Sequence, residues 1–409
     1  MAPNTPTHFD KPRPILIIGA GVVGLTLAQG CREAGILFQI FEKLDASSEK
    51  SQGWGLSLHW SLRSLERTIG PKLAALLTNA NVDPSIDESK GGFLFLNAAT
   101  CETRYHVHST KRYVRASRHK LRAILSTGID IQYGKQLQSF EKSETGEIIA
   151  EFRDGTSSKG SLLVGADGSN SAVREGLKME NTKLTQLPIN LIGAVRHFTP
   201  EQAAPVRELN PLLFFALNPN TKTFFFYSIQ DVLVDADGGN SYDVNLGVSW
   251  MVNDPEQDKI PRDPHERVAE MKRRAQGFAE PMLSMIMDIP DDSTTATGLP
   301  LADFPTTPWD NLHGTVTLAG DAAHAMTMFR GEGANHGILD AALLVDQLKK
   351  IHAGEIDQED GLKEYEAEMQ VRGHAAVLRS RQAAYDGHDW NAITDSSPLI
   401  GARFPPPTA

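Results

Sequence analysis

Residues 15–24 read Ile15-Leu16-Ile17-Ile18-Gly19-Ala20-Gly21-Val22-Val23-Gly24, and the segment behind them ends Phe38 to Phe41, then Glu42. The run Ile15–Ile18 is short, β-branched and without alternation, which suits a strand buried on both faces of a parallel sheet. It leads into a G-x-G-x-x-G pattern. Gly19 permits a tight turn, Gly21 lets the backbone approach a pyrophosphate, and Gly24 lets the next helix pack closely on the strand. That helix carries Val23, Leu27 and Cys31 four residues apart and ends at Gly35, a residue at ease at positive φ. Its N-terminus faces the negative charge. A second strand, Phe38 to Phe41, delivers Glu42, 18 residues beyond Gly24, where an acid can accept hydrogen bonds from an adenosine ribose. The unit predicts a dinucleotide-binding α/β fold and leaves the choice of dinucleotide open.

The 409 residues exceed one compact core and suggest two domains at about 150 residues each. With 40% hydrophobic and 22% charged residues the composition is that of an ordinary globular chain. A net charge of −11 argues against a general nucleic-acid binder. Lys111, Arg112, Arg115, Arg118, Lys120 and Arg122 cluster locally and read, on spacing alone, as a solvated and partly helical face. Cys31 and Cys101 form neither a metal-ligand spacing nor a disulfide scaffold, and Cys31 reads as a buried thiol. Two such thiols point to a reducing compartment. Met1 to Pro14 lacks the order of a signal peptide, and no apolar run approaches the ~20 residues of a membrane span. A cytoplasmic protein, monomer or homodimer, is expected.

Two later segments carry further chemistry. Leu163-Val164-Gly165-Ala166-Asp167-Gly168-Ser169-Asn170-Ser171 reads as a strand end, an Asp-Gly turn and a helix capped near Ser171. This makes a plausible phosphate- or ribose-facing loop, or simply a turn. Val316 to Leu318 reads as a strand, followed by Ala319-Gly320-Asp321-Ala322-Ala323-His324 and then Gly331-Glu332-Gly333-Ala334-Asn335. A helical pattern runs from Gly337 to about Ile351. Its unpaired amides and positive dipole end suit an anion such as the electron-rich N1–C2=O edge of a flavin.

Taken together, in this order and spacing, these segments resemble the FAD-dependent aromatic hydroxylases of the para-hydroxybenzoate hydroxylase and salicylate hydroxylase type. The resemblance covers most of the chain and is nearest in character to fungal monooxygenases of secondary metabolism. It implies a Rossmann-like FAD-binding domain with a mixed sheet, plus an antiparallel β-sheet substrate domain. It implies that Glu42 serves the ADP unit, that Asp167 belongs to a motif tied to FAD and NADPH use, and that Asp321 contacts the ribityl chain. Gly53-Trp54-Gly55-Leu56 resembles the family's flavin-side loop, with Gly55 a backbone contact. Ser117-Arg118-His119-Lys120-Leu121 resembles its Arg-x-x-Leu segment, whose arginine reaches FAD. Gly333, Ala334 and Asn335 correspond to amide donors at the flavin ring. Ala325, Thr327 and Met328 stand where relatives carry prolines, which predicts a loop not stiffened by proline.

The implied division gives residues 1–75, 111–184 and 305–409 to the FAD-binding domain. Residues 76–110 and 185–304 go to the substrate domain. Within the latter, Leu212 to Leu217, Thr223 to Ile229 and Tyr242 to Val252 read as strands. Phe214, Phe215, Phe224, Phe225 and Phe226 are mostly core, with one or two facing a ligand. In related fungal hydroxylases an arginine and a tyrosine at places similar to Arg196 and Tyr227 grip a phenolate. A guanidinium and a phenolic hydroxyl would favour the ionised, electron-rich substrate. The plainer reading is an arginine on a sheet rim and a tyrosine in the core. His324, beside Asp321, reads as structural. Glu359 to Ala384 has helical composition, Arg372, Arg379 and Arg381 read as an exposed or interface face, and Asp386 onward reads as a proline- and glycine-rich tail.

The resemblance implies an FAD-dependent monooxygenase that uses NAD(P)H and O2 and works through a flavin C4a-hydroperoxide on an electron-rich aromatic or phenolic small molecule. A flavin dehydrogenase or oxidase on the same fold is one alternative. A non-catalytic flavin-binding protein is another. A halogenase fits poorly, since no Trp-x-Trp-x-Ile-Pro segment is present.

Overall fold

The computed structural model describes residues 13–47, 54–86, 92–108, 113–177, 179–234, 239–401 and 403. Gly53, Lys111, Arg112 and the segment before Arg13 lie outside the described residues.

The chain opens with β1 (Ile15–Ile18), α1 (Val22–Glu33), β2 (Phe38–Phe41), β3 (Leu56–Leu58) and α2 (Leu62–Ala74). β4 (Gly92–Asn97), β5 (Thr103–His108), β6 (Val114–Ala116) and α3 (Arg118–Leu125) follow. Next come β7 (Ile131–Gln132), β8 (Leu137–Lys142), β9 (Ile148–Phe152), β10 (Ser157–Gly160), β11 (Leu162–Gly165) and α4 (Ala172–Gly176). The middle holds β12 (Thr185–Phe198), α5 (Pro200–Leu209), β13 (Leu213–Leu217), β14 (Phe224–Val234) and β15 (Asn240–Met251). After them lie α6 (Pro264–Arg274), α7 (Met282–Met287) and β16 (Thr297–Asp303). β17 (Val316–Leu318), α8 (Asp321–His324), α9 (Gly333–His352) and α10 (Gln358–Asp386) complete the order.

β1 sits at the centre of a five-stranded parallel sheet ordered β17-β11-β1-β2-β7. All four of its residues are buried, as a run with no alternation requires. α1 and α9 pack on this sheet. Cys31 is wholly buried there, and burial pushes its thiol up to about 12. β8, β9 and β10 add a small antiparallel layer. The second core belongs to a seven-stranded sheet ordered β16-β12-β15-β14-β13-β4-β5, antiparallel except where β13 runs parallel to β4. β4 and β5 thus join strands that follow them by more than a hundred residues. β3 and β6 form a two-stranded ribbon packed on the first core, with the flanking Trp54 and Tyr113 in the second. This is the mixed α/β arrangement that the three segments implied.

Three local expectations change. α9 begins at Gly333, four residues before Gly337, because its first turn packs glycines where no apolar period shows. Arg372 is buried, bonded to Asp340 and Glu368, and Arg381 pairs with Asp303; a helix face rich in arginine hides when other elements supply its carboxylates. The segment after Asp386 is no loose tail. His388, Ile393, Leu399 and Ile400 are buried in the second core, and Arg104 stacks 4.1 Å over Trp390 while donating to the Trp390 and Ile393 carbonyls. β12 and α5 to α7 carried weak signals. The capping box of Thr199 and Gln202 at the start of α5 was readable.

Candidate active site

A cavity of about 910 Å³ runs from the β1–α1 turn to the inner face of the seven-stranded sheet. At its first end Gly19 has φ +102°, and a Cβ there would stand 2.4 Å from the Ala166 carbonyl oxygen. A Cβ on Gly24 would meet the Gly19 carbonyl oxygen at 2.0 Å. Gly21 has no atom within 4 Å of its Cβ position and lines the cavity. α1 starts with no side-chain cap and no acid in its first turn, so its free amides can take an anion. Glu42 stands at the end of β2. Its Oε2 accepts from Ala20 N at 2.9 Å and its Oε1 from Leu44 N at 3.0 Å, which braces the glycine turn.

The second motif touches the first through Ala166. Asp167 turns its carboxylate onto α4, where Oδ2 accepts from Ala172 N at 2.7 Å and Val173 N at 3.3 Å. Burial raises its pKa against those bonds, and Oδ1 has no partner among the described residues. Its neighbours Ala166, Gly168, Ser169 and Asn170 line the cavity, while Asp167 itself stands behind them. Arg174, a residue the sequence reading passed over, ties this motif to the third. Its guanidinium donates to the carbonyls of Ser169, Thr182 and Ala322 and lies 4.4 Å over the Phe304 ring.

Asp321 opens α8 and faces the cavity. The protein around it withholds bulk water, which pushes its carboxyl up; His324 and Arg118 pull it back. Arg118, first residue of α3, also lines the cavity and makes no hydrogen bond or ion pair among the described residues. Gly333 and Ala334 line it too, at the uncapped start of α9. Asn335 is buried behind them. Its Oδ1 accepts from His59 N and Ser61 Oγ, and its Nδ2 donates to the Ser57 carbonyl, so the side chain staples β3 to α9. Gly55 is held beside the cavity against the Arg115 guanidinium, where a Cβ would sit 3.0 Å from Nε.

The loop without prolines is held by other means. Thr327 Oγ1 donates to the Ser380 carbonyl at 2.9 Å, and Ser380 Oγ donates to the Thr327 carbonyl at 2.8 Å. His324 lies wholly buried, with Nε2 2.6 Å from Asp340 Oδ2. A charged residue inside the apolar run Ile338 to Ala342 was the readable sign of Asp340.

At the far end, Phe215 and Phe226 face the cavity, with Trp54 edge-on to Phe226 at 5.6 Å. Arg196 and Tyr227 do not. Gly193, Gly247, Phe226 and Phe215 form one row across the sheet. Leu246, Tyr227 and Phe214 form the next row, with alternate parity, and so point to the face covered by helices. Arg196 shares that parity. Its Nη1 donates to the Met285 carbonyl at 3.0 Å, and the guanidinium lies 4.8 Å over Phe198. Tyr227 is wholly buried, stacked on Phe214 at 4.8 Å, and its hydroxyl has no partner among the described residues.

These features fit FAD: unfilled amide ends on two helices, a free arginine between them, and an acid beside the long axis of the cavity. Residues 13–380 match the family model described as an FAD-binding domain. The chain belongs to that family. It is 41% identical over 346 residues to the FAD-dependent monooxygenase dbaB of Emericella nidulans, covering 83% of this chain and 87% of the relative. It is 33% identical over 400 residues to the FAD-dependent monooxygenase phnB of Penicillium herquei, covering 96% and 95%. Its fold is shared with 2,6-dihydroxypyridine-3-hydroxylase from Arthrobacter nicotinovorans, at TM-score 0.73 and 18% identity over 97% and 98% of the two chains. The protein is an FAD-dependent monooxygenase. Among the described residues no group of side chains could hold a metal ion, and no helix is long and apolar enough to cross a membrane.

Proposed function

We propose that this monooxygenase takes reducing equivalents from NAD(P)H and places one atom of O2 on an electron-rich aromatic or phenolic small molecule. The observation that carries the reading is the wall of Trp54, Phe93, Phe215 and Phe226 continuous with the flavin-sized end of the cavity. Flat aromatic surfaces of this kind recognise a flat, apolar ligand. FAD, when bound, supplies the redox chemistry and the activation of dioxygen.

The protein's part is placement. In this reading Gly19, Gly21 and Gly24 seat the pyrophosphate on α1, with Arg118 as its counter-charge and Glu42 and Asp167 bracing the turns around it. Asp321 holds the ribityl hydroxyls. The amides of Gly333, Ala334 and Asn335 favour negative charge at the pyrimidine edge of the ring, and Gly55 lets the ring lie against backbone. The phenylalanines and Met328 keep water out, which protects the oxygen-transfer step from unproductive loss. Arg196 and Tyr227, on the other face of the sheet, have no role at the ring.

The test is a screen of aromatic compounds with the FAD-loaded protein under labelled dioxygen. Ligand-stimulated NAD(P)H oxidation with label in the product supports the reading. Stimulation by aliphatic compounds alone, with no aromatic product labelled, overturns it.

A further inference from the structure

The far end of the cavity contains a cation that the site described so far leaves idle. Arg115, on β6, is 7% exposed and lines the cavity. Its Nη1 donates to Ser57 Oγ at 2.8 Å and its Nη2 to Ser228 Oγ at 2.6 Å. The Tyr113 hydroxyl, 3.1 Å from Ser57 Oγ, is within reach of the same guanidinium. Nε is buried with no hydrogen-bond partner among the described residues. Among the described residues no carboxylate accompanies it there.

A buried guanidinium without a counter-charge is expensive, and this fold pairs such groups elsewhere. Arg330 and Arg372, equally buried, meet Glu332 at 2.6 Å and Asp340 at 2.7 Å. Among the described residues Arg115 has only hydroxyls. These orient the planar fork without neutralising it, so its charge is left for something that enters the cavity. Arg403 lines the same end, donating to the Leu399 and Gly401 carbonyls and lying 4.8 Å over the Phe93 ring. Two guanidinium groups therefore line the cavity of a chain whose net charge is −11.

We propose that Arg115, with Tyr113 beside it, is the oxyanion-recognising element of the substrate site, selecting a substrate that carries an ionised oxygen, phenolate or carboxylate. The ring of that substrate rests on the aromatic reading above; the charge rests on Arg115. A planar fork with an unspent Nε–H suits an oxygen anion, and the apolar walls around it strengthen the attraction.

The test uses FAD-loaded protein and matched probes. Benzoate is compared with benzamide, and ionised 4-nitrophenol with 4-nitroanisole, by flavin difference spectra at constant pH. At least one anion is expected to bind about tenfold or more tightly than its neutral match, the scale of one charge-assisted bond. Benzoate preference identifies a carboxylate, nitrophenolate preference a phenolate. Arg115→Gln is expected to erase the preference while FAD content and neutral-probe binding persist. Tyr113→Phe is expected to reduce it, and it decides the matter if the arginine variant does not fold. Equal binding of charged and neutral probes overturns the proposal. So does a preference that survives both substitutions, or an Arg115→Gln protein that sheds FAD while its loaded fraction still prefers anions. If no aromatic probe binds, sorbate is compared with its amide. A preference there that depends on Arg115 keeps the oxyanion site and removes the aromatic reading; its absence removes the oxyanion site.

Discussion

Asp340 Oδ2 lies 2.6 Å from His324 Nε2, and both side chains are fully buried. The same oxygen accepts from Gly320 N at 2.7 Å, and Oδ1 accepts from Arg372 Nη2 at 2.7 Å. One carboxylate on α9 thereby fixes the turn that presents Asp321 to the cavity. Burial alone would raise its pKa; His324 and Arg372 outweigh that and hold it well below the usual carboxylate range.

Asp340→Asn is expected to cost about 3 kcal/mol, since Arg372 loses its most buried counter-charge. A folded-state pKa below the unfolded one gives stability that is full above the unfolded value and is lost as pH falls toward the folded value. The wild type should therefore lose this share only in strong acid, and the variant should lack that acid-side slope. Denaturant melts across the acid range, with FAD content in parallel, check both. An unchanged slope would show that the carboxylate is not the anchor.

Asp321→Ala should behave differently. Asp321 faces the cavity and its carboxylate makes no hydrogen bond or ion pair among the described residues, so the apoprotein should keep its stability within about 0.5 kcal/mol. FAD content after purification should fall to a small fraction. A variant that purifies fully loaded would remove Asp321 from the cofactor site.

The glycines separate folding from binding. Gly24→Ala drives a methyl to 2.0 Å from the Gly19 carbonyl oxygen, and backbone must shift. It should destabilise by about 1–3 kcal/mol. Gly21→Ala meets nothing within 4 Å and should fold normally, yet its methyl projects where FAD would approach. Thermal melts with and without added FAD distinguish them: the first variant melts early in both conditions, the second only fails to be stabilised by FAD.

The motifs of the parallel sheet were legible because each packs several chemical constraints into few residues: a buried strand, a glycine that needs close approach, an acid at a strand end. The far end of the cavity was not. Which face a strand residue takes is decided by register, and in β12 and β14 a shift of one residue exchanges cavity for core. Arg196 and Tyr227 looked polar enough for a ligand, but of the other parity Phe226 faces the cavity and Gly193 packs against Trp54, which lines it. Arg115 was visible only as one of a basic cluster, since its lack of a carboxylate partner among the described residues is a tertiary fact. Tyr227→Phe removes a buried hydroxyl that has no partner among the described residues. It should be neutral or stabilise by about 1 kcal/mol, with ligand binding unchanged. Lost ligand binding would return Tyr227 to the site.

Glu366 supplies the clearest test near neutral pH. Buried on α10, it accepts from Trp309 Nε1 at 3.2 Å and Asn311 Nδ2 at 2.9 Å, and burial raises its carboxyl to about 7. Between its unfolded and folded pKa values the folded state holds a proton that the unfolded state has released. Stability therefore falls as pH rises through this window and levels off above it, the reverse of Asp340. Glu366→Gln carries no proton to lose. Between about pH 5 and about pH 8 the wild type should lose about 2–3 kcal/mol more than this variant, the value of a shift of this size. Denaturant midpoints at the two pH values, with unchanged m-values, give the difference directly. Parallel losses in both proteins would mean that Glu366 ionises in the fold as it does in water.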